Sequence, residues 1–498
     1  MKNRGQITVF FSCMISVLLI LTFTALEVGR IYCGRMKIRA AVRSAQSCIL
    51  ADYNRALFEK YHLLFEDPTY GTGSFAMVEE KFRNYLDESL NGNDYKKNLY
   101  NFDVCEVALS DHKTITDDHM KLLKKQIVDY EKNQGALKKI IDSGKQMVDA
   151  SEEVGKASEK TSKEATEITV SSENENGNDD GGSTDDNETG EAQEKVDDPR
   201  DVLKDMLSKG MLALLLPADS QISDEKQDFS QSPSNTYEEK VQKDRDTGFG
   251  DVTKLVEVLE TSAKEDKTSI INVGEKAAFC AYVGDHFSYQ GNYKDTVMHC
   301  EVEYIIKGKN SDHDNLEAVL SDIIWMRMPV NYVCLLQDAP KQSEAFTLAT
   351  AICTSTGTMP MVEIVKYLLL GCWSYGESIY EVRLMMQGEK LPYVKTSAEW
   401  NTDLKSLKKA NNTISSSVGM GYIDYLNLML AKKESKDIAY ARLLDMIELN
   451  LKQEDENLSM VNMCGEFVMQ GKVRLQPVFI EKSDTSAYEY YFQEQFSY

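Results

Sequence analysis

The chain is 498 residues long and has a formal net charge of −24, with 56 Lys and Arg against 80 Asp and Glu. Seven bases and one acid, Glu27, give residues 1–43 a net charge of +6, which leaves −30 for the remainder. Such an acidic body repels phosphate backbones, which excludes nucleic acid as a partner, and it avoids anionic lipid and wall polymers unless divalent cations intervene. The length suffices for two or three domains.

Residues 1–6 form a short tail. The twenty uncharged residues from Ile7 to Leu26 follow, and at about 1.5 Å per residue they match a hydrocarbon core of about 30 Å. The run is longer than a secretory apolar region, and the small-x-small site it offers, Thr22-Phe23-Thr24 before Ala25, is a poor one. We therefore expect 7–26 to be a retained membrane helix rather than a cleaved signal. Thr8, Ser12 and Ser16 recur every four residues and form a membrane-helix packing face that a neighbouring helix can approach. The alternative is that each hydroxyl bonds its own backbone one turn back.

With no proline before Pro68, the helix is expected to run on as an amphipathic stalk over 27–67. Ile38, Val42, Ala45, Ile49, Tyr53 and Ala56 lie at steps of three and four and share one stalk packing face. That face packs either on the chain's own body or on a second copy. Within about 20 residues of the span, two bases precede it and five follow: Arg30, Arg35, Lys37, Arg39 and Arg43. Taken alone, this count places the body in the cytoplasm.

Residues 68–150 read as an α+β segment, with an interrupted alternation through Phe102, Val104, Val107 and Leu109 that predicts one or two strands. Residues 151–198 hold too few apolar side chains to offset chain entropy and read as a disordered acidic linker. Within it, Asn176, Asn178, Asp180 and Gly181 match early positions of a calcium loop, but Asn187 stands where a bidentate glutamate belongs. Over 199–250 we expect a short helix, a buried strand at "MLALLLP" and a mobile polar tract from Ser220 to Asp246. Residues 251–460 read as a helical body containing one strand, "HCEVEYIIKG", and the apolar stretch 313–388 reads as buried core helices. Residues 461–498 alternate as a C-terminal β-hairpin, which can pair with the region near Phe102. The fold class is therefore α+β and mainly helical: a single N-terminal transmembrane helix and stalk, then a helical body with a small β-sheet.

No motif for catalysis, nucleotide binding or metal binding occurs, so no catalytic residue, metal ligand or cofactor is expected. The ten cysteines are dispersed without a C-x-x-C spacing and read as small apolar packing residues. The six histidines lack ligand spacing. In "NSDHDN", Asp312, His313 and Asp314 read as capping and turn residues.

Arg4-Gly5, the uncharged span and "LEVGRIY" resemble the anchors of TadE and TadG, pilin-like proteins of tight-adherence pili. Phe10 stands where pilin-type cleavage after Gly5 requires glutamate. "ADYNRALFEKYHLLFED", "MLALLLPADSQIS", "EVEYIIKGKNSDHDNLEAVL" and "SYGESIYEVRLMMQGEKLPYVKTSAEW" are similar to an uncharacterised family of Gram-positive membrane proteins with such a start. The resemblance implies a single-pass protein of the cell membrane with its body outside. It also implies that the chain is a non-enzymatic, minor-pilin-like component of a tight-adherence pilus or secretion apparatus. Its partners would be the membrane, other proteins of that apparatus, or itself through the span and stalk. A membrane-tethered enzyme without a recognisable motif and a cytoplasmic-facing adaptor are the alternatives.

Overall fold

A computed structural model of the chain describes residues 3–92, 100–134, 199, 204, 208, 210–216, 222–240, 267–396, 399–404, 406–410, 419–432, 436–479 and 488–498. The acidic linker 151–198 and its calcium-loop pattern lie outside the described residues, apart from their border at Pro199. The helices are α1 (Asn3–Leu50), α2 (Arg55–Tyr61), α3 (Ala76–Asn91), α4 (Lys121–Gln134), α5 (Met211–Leu215), α6 (Pro233–Lys240) and α7 (Lys267–His286). They continue with α8 (Glu301–Lys307), α9 (Asp312–Gln337), α10 (Ala339–Thr356), α11 (Val362–Met386), α12 (Tyr422–Lys432) and α13 (Lys436–Leu451). The strands are β1 (Phe102–Thr114), β2 (Thr402–Asp403), β3 (Ser406–Ala410), β4 (Cys464–Leu475) and β5 (Glu489–Ser497). The fold is α+β and mainly helical.

Two compact units divide the chain, Met1–Gln126 with Leu444–Tyr498, and Ile127–Leu443. This differs from the segmentation at 68–150, 251–460 and 461–498, because strand pairing joins the two ends of the sequence. In the first unit, β1, β4 and β5 form an antiparallel sheet in that order, with Phe102 opposite Leu475 and Phe467 opposite Phe496. The interrupted alternation near Phe102 belongs to one strand whose register slips between Val104 and Glu106 and again between Leu109 and Asp111. The second half of α1 and all of α3 bury their apolar stripes against this sheet.

Two close approaches fix the sheet. A Cβ on Gly34 of α1 would lie 3.0 Å from Leu475 Cδ2, so a larger residue there would ask that side chain to shift by a few tenths of an ångström. At Gly471 a Cβ would lie 2.6 Å from both the Glu106 carbonyl oxygen and the Phe492 ring.

The stalk does not run to residue 67. It ends at Leu50, and α2 starts afresh behind Asn54, whose side chain accepts the Leu57 N–H at 2.9 Å. Asp52, in the intervening turn, bonds Lys81 at 2.7 Å and the Tyr70 hydroxyl at 3.3 Å. A local cap at Asn54 and the tertiary bonds of Asp52 thus override the helical pattern.

In the second unit, α10 and α11 pack around Leu348, Ala349, Leu369, Leu370 and Trp373, with Trp400 and Leu404 closing the cluster. The two-stranded sheet of β2 and β3 is an addition to the helical body expected over 251–460. "HCEVEYIIKG" is the helix α8, not a strand. Its alternation misleads because Glu301 and Glu303, read as one solvent face, are themselves buried. "MLALLLP" likewise forms the helix α5 with Leu212 and Leu215 buried. The polar tract from Ser220 is held over part of its length: Gln227 N–H donates to Asn310 O at 2.9 Å, and Ser232 and Ser234 are buried at α6.

Replacing Gly471 by Val should destabilise the first unit by about 1–3 kcal/mol, since backbone oxygen and a packed ring occupy the space. Gly284→Ala in α7, where nothing lies within 4 Å, should instead stabilise slightly, by up to about 1 kcal/mol. Urea unfolding followed by amide exchange in β4 and α7 checks both, and equal effects would refute the packing account.

Candidate functional site

Along α1 the side chains change character at one point. Ile7 and the apolar residues through Leu26 are exposed, and Thr8, Ser12 and Ser16 lie in this bare stretch. Ser16 Oγ donates to Ser12 O at 2.9 Å, Thr22 Oγ1 to Leu19 O at 2.9 Å and Thr24 Oγ1 to Ile20 O at 2.6 Å. These hydroxyls therefore need no outside partner, which suits apolar surroundings. The helix is long and apolar enough from Ile7 to cross a membrane, and a signal sequence meets the same description. α9 also has the length and composition, but half of its apolar window is buried within the fold.

Past Leu26 the helix faces the sheet. Ile38, Val42, Ala45 and Ile49 are buried among Phe82, Val107, Met469 and Phe492. Tyr53 and Ala56 follow the end of α1 and are half-buried, with the Tyr53 ring edge-on to Phe58 at 5.2 Å. The six stalk positions thus split four and two. Because the four are covered by the chain's own sheet, that face is unavailable for coiling with a second copy.

The second unit contains an ionic centre that sequence reasoning missed. Arg327 of α9 grips Glu381 of α11 with two bonds, Nη2 to Oε1 at 2.6 Å and Nε to Oε2 at 2.8 Å. Lys395 bridges Glu381 and Glu377 at 2.6 and 2.5 Å. Asn331 adds a bond to Glu381 at 2.7 Å, and the Asn401 and Thr402 N–H groups donate to Glu377 at 3.0 and 2.9 Å. All four charged side chains are buried. Burial pushes the Glu381 carboxyl up, but the Arg327 and Lys395 charges overcome it and hold it down at about 2. Two cations and two carboxylates cancel, so the cluster ties α9 and α11 to Lys395, Asn401 and Thr402 without leaving an unpaired charge.

A second set of acids supports the loop between α7 and α8. Glu301 accepts the Ser288 N–H at 2.7 Å, and Glu303 accepts the Gln290 N–H at 3.0 Å and the Tyr422 hydroxyl at 2.6 Å. Asp312 accepts the N–H groups of His299 and Cys300 at 3.0 and 2.9 Å. Burial is the main cause that raises the Glu303 carboxyl to about 7. In the first unit, burial raises Glu66 to about 8. Among the described residues, Asp224, His313 and Asp314 place one ligand atom each within 4.8 Å of one another and could hold a divalent cation. Asp224 is exposed, and the other two stand in the first turn of α9, where the helix dipole favours anions. The described cysteines are all unbridged thiols.

These features define an α+β protein with a bare apolar lead helix and a charge-neutral ionic core. The chain belongs to the family of unknown function DUF5702, which matches residues 189–475, more than half of its length. No curated protein matches it, and no solved structure does. The matched residues include the whole ionic centre, whereas α1 and β1 lie outside them.

Lys395→Met should cost the second unit about 3–5 kcal/mol, because two buried carboxylates then share one cation. Its pH dependence should have two limbs. The depressed Glu381 contributes stability that is present above about pH 4.5 and lost as pH falls toward 2. The raised Glu303 contributes stability that is full below about 4.5 and lost as pH rises through 7. Denaturant melts from pH 3 to 9 should show the upper limb shrink in Glu303→Gln, the remainder coming from Glu131, which burial also raises to about 7, and from Glu66, and an unchanged upper limb would refute the assignment.

Proposed function

We propose that this chain is a non-enzymatic, single-span protein of the cell membrane with its body on the extracytoplasmic side. In this reading it serves as a TadG-like, minor-pilin-like component of a tight-adherence pilus or secretion apparatus in a Gram-positive bacterium. The observation that carries the proposal is α1: one helix with a bare apolar half that continues, without a break, into a half packed on an antiparallel sheet. A bare apolar helix rigidly joined to a folded body suits a subunit that is held by lipid first and by neighbouring helices during assembly.

The buried charges support a structural role. The ionic centre and the loop-bearing glutamates are engaged in holding helices and backbone, so they do not present activated groups to a substrate. The base count favours a cytoplasmic body and stands against the proposed orientation, which rests on the resemblance of the anchor; of the five bases, Arg30 pairs with buried Glu27 and Lys37 donates to Leu90 O at 2.7 Å.

A tag placed after Tyr498 should be removed by protease from intact protoplasts; protection would put the body inside. A photo-crosslinking residue at Ser12 in cells should trap a second α1 or the span of another membrane-embedded component at a discrete mass. Crosslinks to lipid alone would reduce the span to a plain anchor and sink the assembly role.

A further inference from the structure

The segment after β4, Gln476–Phe479, is folded against α1 at the point where its apolar stretch ends. The Phe479 ring stacks on Phe23, with centroids 6.0 Å apart and planes at 13°. Phe479 N–H donates to Glu27 Oε2 at 3.2 Å, and Arg30 Nη2 donates to Gln476 O at 2.5 Å. Arg30 and Glu27 in turn pair at 2.6 Å. Phe23 lies three residues inside the uncharged run, about 4–5 Å along the helix from its end at Leu26. The segment therefore shares the depth of the last turn of the span.

Its polarity is inverted relative to a water-facing surface. Glu27 and Arg30 are only 2% and 4% exposed, whereas Val478 is 50%, Phe479 39%, Val28 52% and Tyr32 69% exposed. The charges point inward and bond each other and two backbone groups, leaving only Arg30 Nη1 without a partner, while these apolar and aromatic side chains point outward. Water would favour the reverse arrangement, whereas the boundary of a bilayer favours this one.

We propose that Gln476–Phe479 is a second, shallow membrane contact, with Val478 and Phe479 entering the acyl-chain border of the leaflet that α1 leaves. The occupant of this surface is lipid, because the surface is continuous with the lipid-facing side of the span. The inference rests on the reading of Ile7–Leu26 as a membrane helix. Two contacts at one boundary fix the rotation of α1 about its own axis, so its Thr8, Ser12 and Ser16 face keeps a constant direction relative to the sheet.

The test uses the full chain in nanodiscs made with lipid brominated either near the glycerol end or near the middle of the acyl chain. Val478→Trp and, separately, Leu18→Trp each add one indole to the three native tryptophans, and the emission of the unsubstituted chain is subtracted. Position 478 is half-exposed, so the larger side chain fits without repacking. The added Val478→Trp emission should be blue-shifted and largely lost in lipid brominated near the glycerol end, and Leu18→Trp emission should be lost mainly to bromine nearer the chain middle. Quenching of Leu18→Trp with a water-like, acrylamide-quenched Val478→Trp overturns the loop contact and leaves the span intact. Blue-shifted but bromine-insensitive Val478→Trp emission means that protein covers the site, and this also overturns it. Failure of bromine to quench Leu18→Trp overturns the span and the loop contact together.

Discussion

A charged pair buried one turn beyond twenty uncharged residues is the constraint on which the first unit depends. Glu27 and Arg30 mark the point where α1 changes the medium it must match. From Ile7 to Leu26, every exposed side chain is apolar or has a hydroxyl that can turn back to the helix. After them, one stripe is committed to the sheet. An ion pair in the middle of such a transition would be costly in lipid and weak in water. Bonded to the Gln476 carbonyl and the Phe479 N–H, it keeps only Arg30 Nη1 without a partner, and it ties the end of β4 to the helix.

The second unit meets a related problem inside its own core. α11 carries Glu377 and Glu381 on a helix that is otherwise packed in an apolar cluster, and burial of either carboxylate alone would be prohibitive. Arg327 and Lys395 resolve this by arriving from different parts of the chain, so neutrality requires α9, α11 and Lys395 to be docked together. A cluster of this kind contributes specificity more than net stability: misdocked arrangements leave a charge buried and unpaired. Its place within the residues that define the family agrees with such a role in the fold.

Periodicity made much of this legible in advance. The steps of three and four through Ile38, Val42, Ala45 and Ile49 describe the face that meets the sheet, and the alternation of "EFVMQGKVRLQPVF" and "AYEYYFQEQF" corresponds to β4 and β5. What stayed hidden was set by contacts between residues far apart in sequence. The end of α1 at Leu50 depends on Lys81 reaching Asp52, 29 positions away, whereas the Asn54 cap three residues before Leu57 is a local signal that periodicity alone passes over. Glu301 and Glu303 looked like a solvent face because their partners, backbone N–H groups thirteen residues earlier, carry no sequence signature. The ionic centre was invisible for the same reason: Arg327 and Glu381 are 54 positions apart, and isolated charges in apolar helices read as interruptions.

α1 is one rigid helix serving two media, with the change at Glu27. The most direct measurement is a depth and periodicity scan of the full chain in nanodiscs, with a spin-labelled amino acid placed in turn at each position from 10 to 46. Genetic incorporation avoids the ten native cysteines. The account predicts accessibility to oxygen, but not to a polar nickel reagent, at all positions before 27, followed by an abrupt onset of 3.6-residue periodicity in which 38, 42 and 45 are shielded from both. Access of the polar reagent to positions before 27, or a loss of helical periodicity between 27 and 46, would contradict it.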